Sequence, residues 1–463
     1  MNFVWQKLTL SHLSLYRWQG SSYAYRLVGI LRSWREGSWL MQWSEGIGAL
    51  LISLVFVLGP FVSTAIIGVV LMAGACYLGL LTLSDEGKSV ITPIHLLVFL
   101  YWGINTIATA FSPVRQAAIS GLVKLTLYLL FFALCAKVLR QPKLRSGIMT
   151  IYLLVSLWVS VYGIRQHFFG ARQLATWNDP TSALAGDTRV YSYLGNPNLL
   201  AGYLLTAVAL SVAAVLIWQR FLPKLLAVVM VGINSACLYF TDSRGGWLAL
   251  VGLMSVFALL LYYWWRAYLP KFWRIWLVPL VFGTLGGLLM VAIITVEPLR
   301  LRIMSIFAGR EDSSNNFRLN VWDAVREMIR DRPWLGIGPG NSAFNQVYPR
   351  YMRPNYTALS AYSIFLETIV EVGYIGFAIF MWLIVVTFNQ GLIQLSKLKQ
   401  LGDRQGIWLI AACAAMGGLL VQGLFDTVWY RPQINTLWWL MTALIASYYP
   451  AVKDLTSARQ TER

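Results

Sequence analysis

The chain has 463 residues, of which 58% are hydrophobic and only 12% charged, with a mean hydropathy of +0.61. That leaves too little polar surface to cover a soluble globule of this size, and implies an all-α, polytopic integral membrane protein. A net charge of +18 would suggest nucleic acid in a soluble chain; here the positive charges sort by membrane side, and no nucleic-acid partner is expected.

Residues 1–44 carry Arg17, Arg26, Arg32 and Arg35 among scattered aromatics. With no continuous apolar core, this stretch is not a cleavable signal peptide and reads as a cytoplasmic, amphipathic N-terminal segment on the bilayer. Between 45 and 296, nine apolar runs fall near 46–60, 62–83, 93–111, 118–138, 147–169, 198–218, 223–241, 245–265 and 273–296. Three more, near 361–387, 407–425 and 434–449, lie within 361–450. Most approach the ~20 residues needed to cross ~30 Å of hydrocarbon, so the expected architecture is a helical bundle of about twelve crossings (10–12). Aromatic pairs at run ends, such as Trp264 and Trp265 or Tyr448 and Tyr449, suit the headgroup belts.

A cytoplasmic N-terminus places Lys137, Arg140, Lys143 and Arg145, then Arg220 and Lys224, then Arg266, Lys271 and Arg274, then Lys397, Lys399 and Arg404 on the inside, with every lysine except Lys124. This satisfies the positive-inside rule. Both termini, including the tail 451–463, are then cytoplasmic. The inner (cytoplasmic) membrane is the expected location, with a thylakoid membrane as the alternative.

Within the first nine runs, YLGNPNLLAGYL (193–204) sets Asn196 before Pro197, a helix start; Asn196 and Asn198, with Arg189 upstream, are candidates to line a polar pocket at the outer face. FTDSRGGWLAL (240–250) offers Asp242 or Ser243 as an N-cap, Arg244 at a helix start suited to an anion, and Gly245-Gly246 for close packing. The external stretch 297–360 contains nine arginines and no lysine, a composition suited to gripping phosphate or carboxylate with two hydrogen bonds. Inside it, NNFRLNVWDAVREMIRDRP puts Phe317, Val321, Val325 and Met328 on one face of an amphipathic helix, expected to lie along the bilayer and to stop at Pro333. RPWLGIGPGNSAF (332–344) matches no nucleotide-binding loop and reads as a sharp re-entry turn.

SAYSIFLETIVEVGYIGF (360–377) opens the next crossing with a polar head, then Glu367 and Glu371 one turn apart. Ionisable groups at membrane depth face protein or water. With histidines only at 12, 95 and 167 and cysteines only at 76, 135, 237 and 413, all four cysteines inside apolar runs, no metal and no cofactor is expected.

Taken in order, Arg189 with GNPN, the SRGGW helix start, FRLNVW, DRPWLGIGPGN and YSIFLETIVEVGYIG resemble the O-antigen ligase and polymerase superfamily over roughly residues 185–380. VYSYLGNPNLLA, SIFAGREDSSNNFR and LFDTVWYRP are similar to one branch, the cyanobacterial inorganic-carbon accumulation proteins of the IctB family, named for bicarbonate transport. The superfamily resemblance implies that external arginines, with Arg244 and Arg318 at matching positions and Arg189 nearby, hold the diphosphate of a polyprenyl-linked glycan. A histidine that assists the acceptor hydroxyl corresponds here to Tyr362; Tyr362, Glu367 and Glu371 are the catalytic candidates. The branch resemblance implies a cyanobacterial source and a role in bicarbonate accumulation for photosynthesis. Three functions stay open: bicarbonate accumulation, transfer of glycan from a polyprenyl diphosphate, and non-catalytic regulation, with membrane lipid as a partner in each.

Overall fold

The computed structural model describes residues 2–11, 28–85, 91–172, 174 and 189–449. The expected tail 451–463, part of the N-terminal segment and most of the external segment 170–197 lie outside the described residues. The apolar runs form helices α1 (Ser44–Leu58), α2 (Thr64–Leu83), α3 (Pro93–Ala110), α4 (Arg115–Val138), α5 (Pro142–Phe169) and α6 (Pro197–Ile217). They continue as α7 (Phe221–Phe240), α8 (Arg244–Trp265), α9 (Lys271–Thr295), α10 (Ile364–Gln400), α11 (Gly406–Gln422) and α12 (Pro432–Ser447). No strand occurs among the described residues.

Each expected crossing coincides with a helix, but only eight helices among the described residues, α2 to α8 and α10, are long and apolar enough to span a membrane. Helices α1, α11 and α12 have 15, 17 and 16 residues, short of the ~20 needed. Nearly all residues of α11 and α12 are buried, as are most of those of α6, so these three form the protein-lined centre of the bundle. Close approach is set by small residues. A side chain at Gly246 of α8 would meet Ala201 of α6 at 2.7 Å, and one at Gly418 of α11 would meet Leu253 of α8 at 2.9 Å.

The connections expected on one side do gather at one end of the bundle. There Lys137 pairs with Asp85 at 2.6 Å, Arg145 donates to Gln405 at 3.2 Å, and Lys399 donates to the Tyr263 carbonyl at 2.6 Å.

The opposite end is roofed by residues 309–363. The loop helix Ser313–Asp331 is capped by Asp312, whose side chain accepts from the Asn315 N–H at 2.8 Å. Its apolar face does not lie on the bilayer as expected. Val321, Val325 and Met328 are buried in a second core with Phe344, Tyr348, Ala118 of α4 and Val370 of α10. Each such burial contributes about 1.5–3 kcal/mol, so the roof is a packed layer fixed to the bundle.

The glycine-rich stretch after Pro333 is more than a turn. Helix α10 breaks at Gly373 (φ 67°, ψ −176°), and the loop fills the break. Ile337 and Gly338 N–H donate to the carbonyls of Val370 and Glu371, both at 2.9 Å, and Tyr374 N–H donates to the Pro333 carbonyl at 2.8 Å. Irregular backbone of this kind is tolerated at a membrane where protein satisfies its polar groups.

We infer from the lysine distribution that the roof lies away from the cytoplasm. Ser313 is exposed, so Ser313→Cys should react with an impermeant thiol reagent added on the non-cytoplasmic side. Reaction from the cytoplasmic side alone would reverse the threading.

Candidate functional site

The site is assembled where the start of α8 meets the roof. Ser243 caps α8 by accepting from the Gly246 N–H at 3.2 Å, which fixes Arg244 as the first helical residue. Its guanidinium donates to the Ser305 carbonyl (3.0 Å), the Ser305 hydroxyl (2.9 Å) and Asp312 Oδ1 (2.9 Å). Arg244 thus ties the bundle to the helix Glu297–Phe307 and to the cap of the loop helix. Burial pushes the Asp312 carboxyl up, but the Arg244 hydrogen bond, the Asn315 N–H and the nearby charges outweigh it and hold the group below its ordinary range.

Two further arginines stand beside it. Arg302 pairs with Asp242 at 2.9 Å. Arg189 donates to the Thr241 carbonyl at 3.2 Å and to Asn198 Oδ1 at 3.1 Å. Burial, then repulsion from Arg302, pushes Arg189 down to about 9, so it is still charged at neutral pH.

Arg244 and Arg318 stand on the wall of one cavity of about 220 Å³, with Asn315 and Trp322 and with the apolar side chains of Leu248, Leu319 and Phe425. The two arginines differ in what they have to spare. Arg244 commits both terminal nitrogens to protein, through Ser305 and Asp312. Among the described residues Arg318 donates to the Ser314 hydroxyl alone, at 3.4 Å, and its Nε is buried without a hydrogen-bond partner there. Burial lowers its pKa, while the Asp426 carboxylate opposes that shift. A wall that combines two guanidinium groups with apolar side chains suits an anion that carries hydrocarbon.

Tyr362 is not among the wall residues of this cavity. Its ring packs edge-on against Phe317 with centroids 5.5 Å apart, and its backbone is left-handed (φ 49°). The corner is held from two sides: Trp322 Nε1 donates to the Ala361 carbonyl at 2.9 Å, and Ala361 N–H donates to Glu367 Oε2 at 2.5 Å. Burial, then the Asp426 and Tyr430 charges, push the Tyr362 phenol up to about 12 against the pull of Arg318. At neutral pH it is a hydrogen-bond donor, not a proton acceptor.

The two glutamates face elsewhere. Glu371 Oε1 accepts from the Gly340 N–H at 2.7 Å, so each glutamate anchors a loop by a backbone hydrogen bond, and both line a second cavity. That is the structural reason for their spacing: one turn apart, they reach the corner at 361 and the glycine loop at 340. Asn196 is spent as the cap of α6, accepting from Asn198 and Leu199 N–H at 2.8 and 3.2 Å. Asn198 instead joins the arginine cluster through Arg189.

Sequence reasoning missed Asp426. It is 9% exposed, interacts with Arg318 and Arg189, and is hydrogen-bonded to Asn198; burial pushes its carboxyl up despite those arginines. The available signal was an aspartate between two apolar runs, in LFDTVWYRP. Among the described residues no group of histidines, cysteines and carboxylates is placed to hold a metal ion.

Fold and site together define a multi-pass helical membrane protein with an arginine-walled cavity beneath a packed roof. Residues 231–381 match the O-antigen ligase family, which supports placing the chain in the O-antigen ligase superfamily. Arg244, Arg318, Tyr362, Glu367 and Glu371 fall inside the matched stretch; Arg189, Asn196, Asn198 and Asp426 fall outside it. No curated protein matches the chain.

Proposed function

We propose that the protein is a glycan transferase of the ligase or polymerase type, taking glycan from a polyprenyl diphosphate carrier at the roofed face of the membrane. The observation that carries this is the cavity whose wall holds both Arg244 and Arg318 together with the apolar Leu248, Leu319 and Phe425. A diphosphate on a hydrocarbon chain matches both kinds of wall residue. As the sugar carbon passes from the diphosphate oxygen to an acceptor's hydroxyl oxygen, whose proton the leaving diphosphate or solvent takes, charge grows on the leaving phosphate, and a fixed guanidinium is placed to stabilise it. Arg318 is assigned that role, with Arg244 holding the roof over it. By resemblance Tyr362 corresponds to the superfamily histidine, but its phenol, protonated at neutral pH, is no proton acceptor and stands outside the wall of this cavity.

Bicarbonate accumulation, the role implied by likeness to the IctB branch, is the rival reading. An arginine fork grips carbonate as readily as phosphate, but bicarbonate has no use for Leu248, Leu319 and Phe425. The cyanobacterial source and photosynthetic role stand on that motif likeness.

The full-length protein in nanodiscs is expected to bind a polyprenyl diphosphate, and in proteoliposomes to pass no labelled bicarbonate above empty liposomes. Bicarbonate flux without lipid-diphosphate binding would overturn the proposal. Binding without any release of carrier from a loaded polyprenyl diphosphate would leave a regulatory protein in place of an enzyme.

A further inference from the structure

A second cavity, of about 140 Å³, lies under the glycine loop between α3, α4, the start of α10 and the segment 427–435. We propose that it binds one saccharide unit through its hydroxyl groups. Four polar atoms of its wall residues are buried with no hydrogen-bond partner: Asn105 Oδ1, Thr427 Oγ1, Trp429 Nε1 and Asn435 Oδ1. Asn105 and Thr427 are only 1% and 3% exposed. Each unsatisfied group costs about 1–3 kcal/mol, and buried polar groups are otherwise almost always paired, so four on one cavity call for a ligand.

The chemistry of the wall selects that ligand. Asn105 and Asn435 donate their amide N–H to the carbonyls of Tyr101 (2.7 Å) and Trp429 (2.9 Å), which leaves both amide oxygens as acceptors. Glu367 and Glu371 each spend one oxygen on backbone N–H and keep the other. The wall also carries the Lys124 ammonium, a donor only, so it presents donors and acceptors together and asks for a ligand that is both. The indole N–H of Trp429 is likewise a donor only and needs an acceptor, which an ammonium ion lacks. Hydroxyl groups supply both.

Water does so too, but the volume far exceeds the ~10–15 Å³ that one water requires, and the aromatic walls of Tyr101, Tyr128 and Trp429 suit the apolar face of a sugar ring. The inference rests on the proposed function for its purpose, since the sugar would belong to the transferred glycan or its acceptor.

Saturation-transfer NMR on the full-length protein in nanodiscs tests it, with free neutral hexoses and N-acetylhexosamines as probes and an alkylamine as the cation control. Neutral saccharides should receive saturation. Thr427→Val, nearly isosteric, and Trp429→Phe, which keeps an aromatic ring, should each weaken the interaction roughly five- to tenfold. Lipid-diphosphate binding by the same variants should match the parent, showing that they fold and that the two cavities are separate. No saturation of any saccharide by a parent that melts cooperatively, or saturation of the alkylamine alone, would overturn the inference. Saccharide binding by a protein that binds no lipid diphosphate would instead sink the proposed function and leave this site standing.

Discussion

Arg318→Ala should lower the affinity for a polyprenyl diphosphate by at least about tenfold while leaving thermal stability close to that of the parent. The affinity loss follows from removing charge-assisted hydrogen bonds, each worth about 1.5–3 kcal/mol, at about 1.4 kcal/mol per tenfold change. The unchanged stability follows from how little Arg318 gives the fold among the described residues: one bond, at 3.4 Å to Ser314, and an attraction to Asp426 that Arg189 shares. Arg318→Lys should recover only part of the binding, because an ammonium cannot reproduce the two-pronged contact. Arg244→Ala should behave differently. Its guanidinium binds Ser305 and Asp312, so its loss should reduce both affinity and melting temperature. Titration of a polyprenyl diphosphate, with melting curves for all three variants, separates these roles. Parent-like binding by Arg318→Ala would end the lipid-diphosphate assignment; a collapse in its stability would show that Arg318 is structural.

Gly373→Ala should destabilise the protein by about 2–6 kcal/mol. At φ 67° and ψ −176° the backbone occupies a region essentially reserved for glycine, which costs about 1–3 kcal/mol for other residues. The added Cβ would also fall 2.1 Å from the backbone of Trp334, and relieving such overpacking typically costs about 1–3 kcal/mol more. The damage should not stay local, because Gly373 sits where the loop supplies N–H groups to the Val370 and Glu371 carbonyls. Gly68→Ala is the control: it lies in α2 with open space around the added methyl and should be neutral or mildly stabilising. Melting of both variants in nanodiscs decides the matter. If Gly373→Ala melts with Gly68→Ala, the break in α10 is not the rigid joint described here.

The GIGPGN stretch shows where local reading stopped. Its glycines signalled a turn, but their reason is distant in sequence: a side chain at Gly121 of α4 would sit 1.9 Å from the Pro339 carbonyl oxygen, and Gly336 and Gly338 crowd α10 and α4 in the same way. The loop helix is a similar case. Periodicity identified its apolar face, yet a face that fits a bilayer fits a protein core equally well, and burial against Phe344, Tyr348 and Ala118 was decided by packing. Glu367 and Glu371 looked like candidate bases because carboxylates at membrane depth demand an explanation; the explanation found is two backbone N–H groups.

The sequence by itself determined that this is a helical membrane protein, where its helices fall, and which connections share an end. These follow from hydropathy and charge, which act on each segment independently of the others. It also singled out Arg244, beside a helix start legible in a short window, and Arg318, through the likeness of FRLNVW to a superfamily motif. Only the tertiary structure decided that one of them is spent on the roof and the other left with free donors, that Asp426 joins them, and that the glutamates belong to a different cavity. Those outcomes depend on which hydrogen-bond partners arrive from 60 or more residues away, as Ser305 and Asp312 do at Arg244, and no local pattern in the chain encodes them.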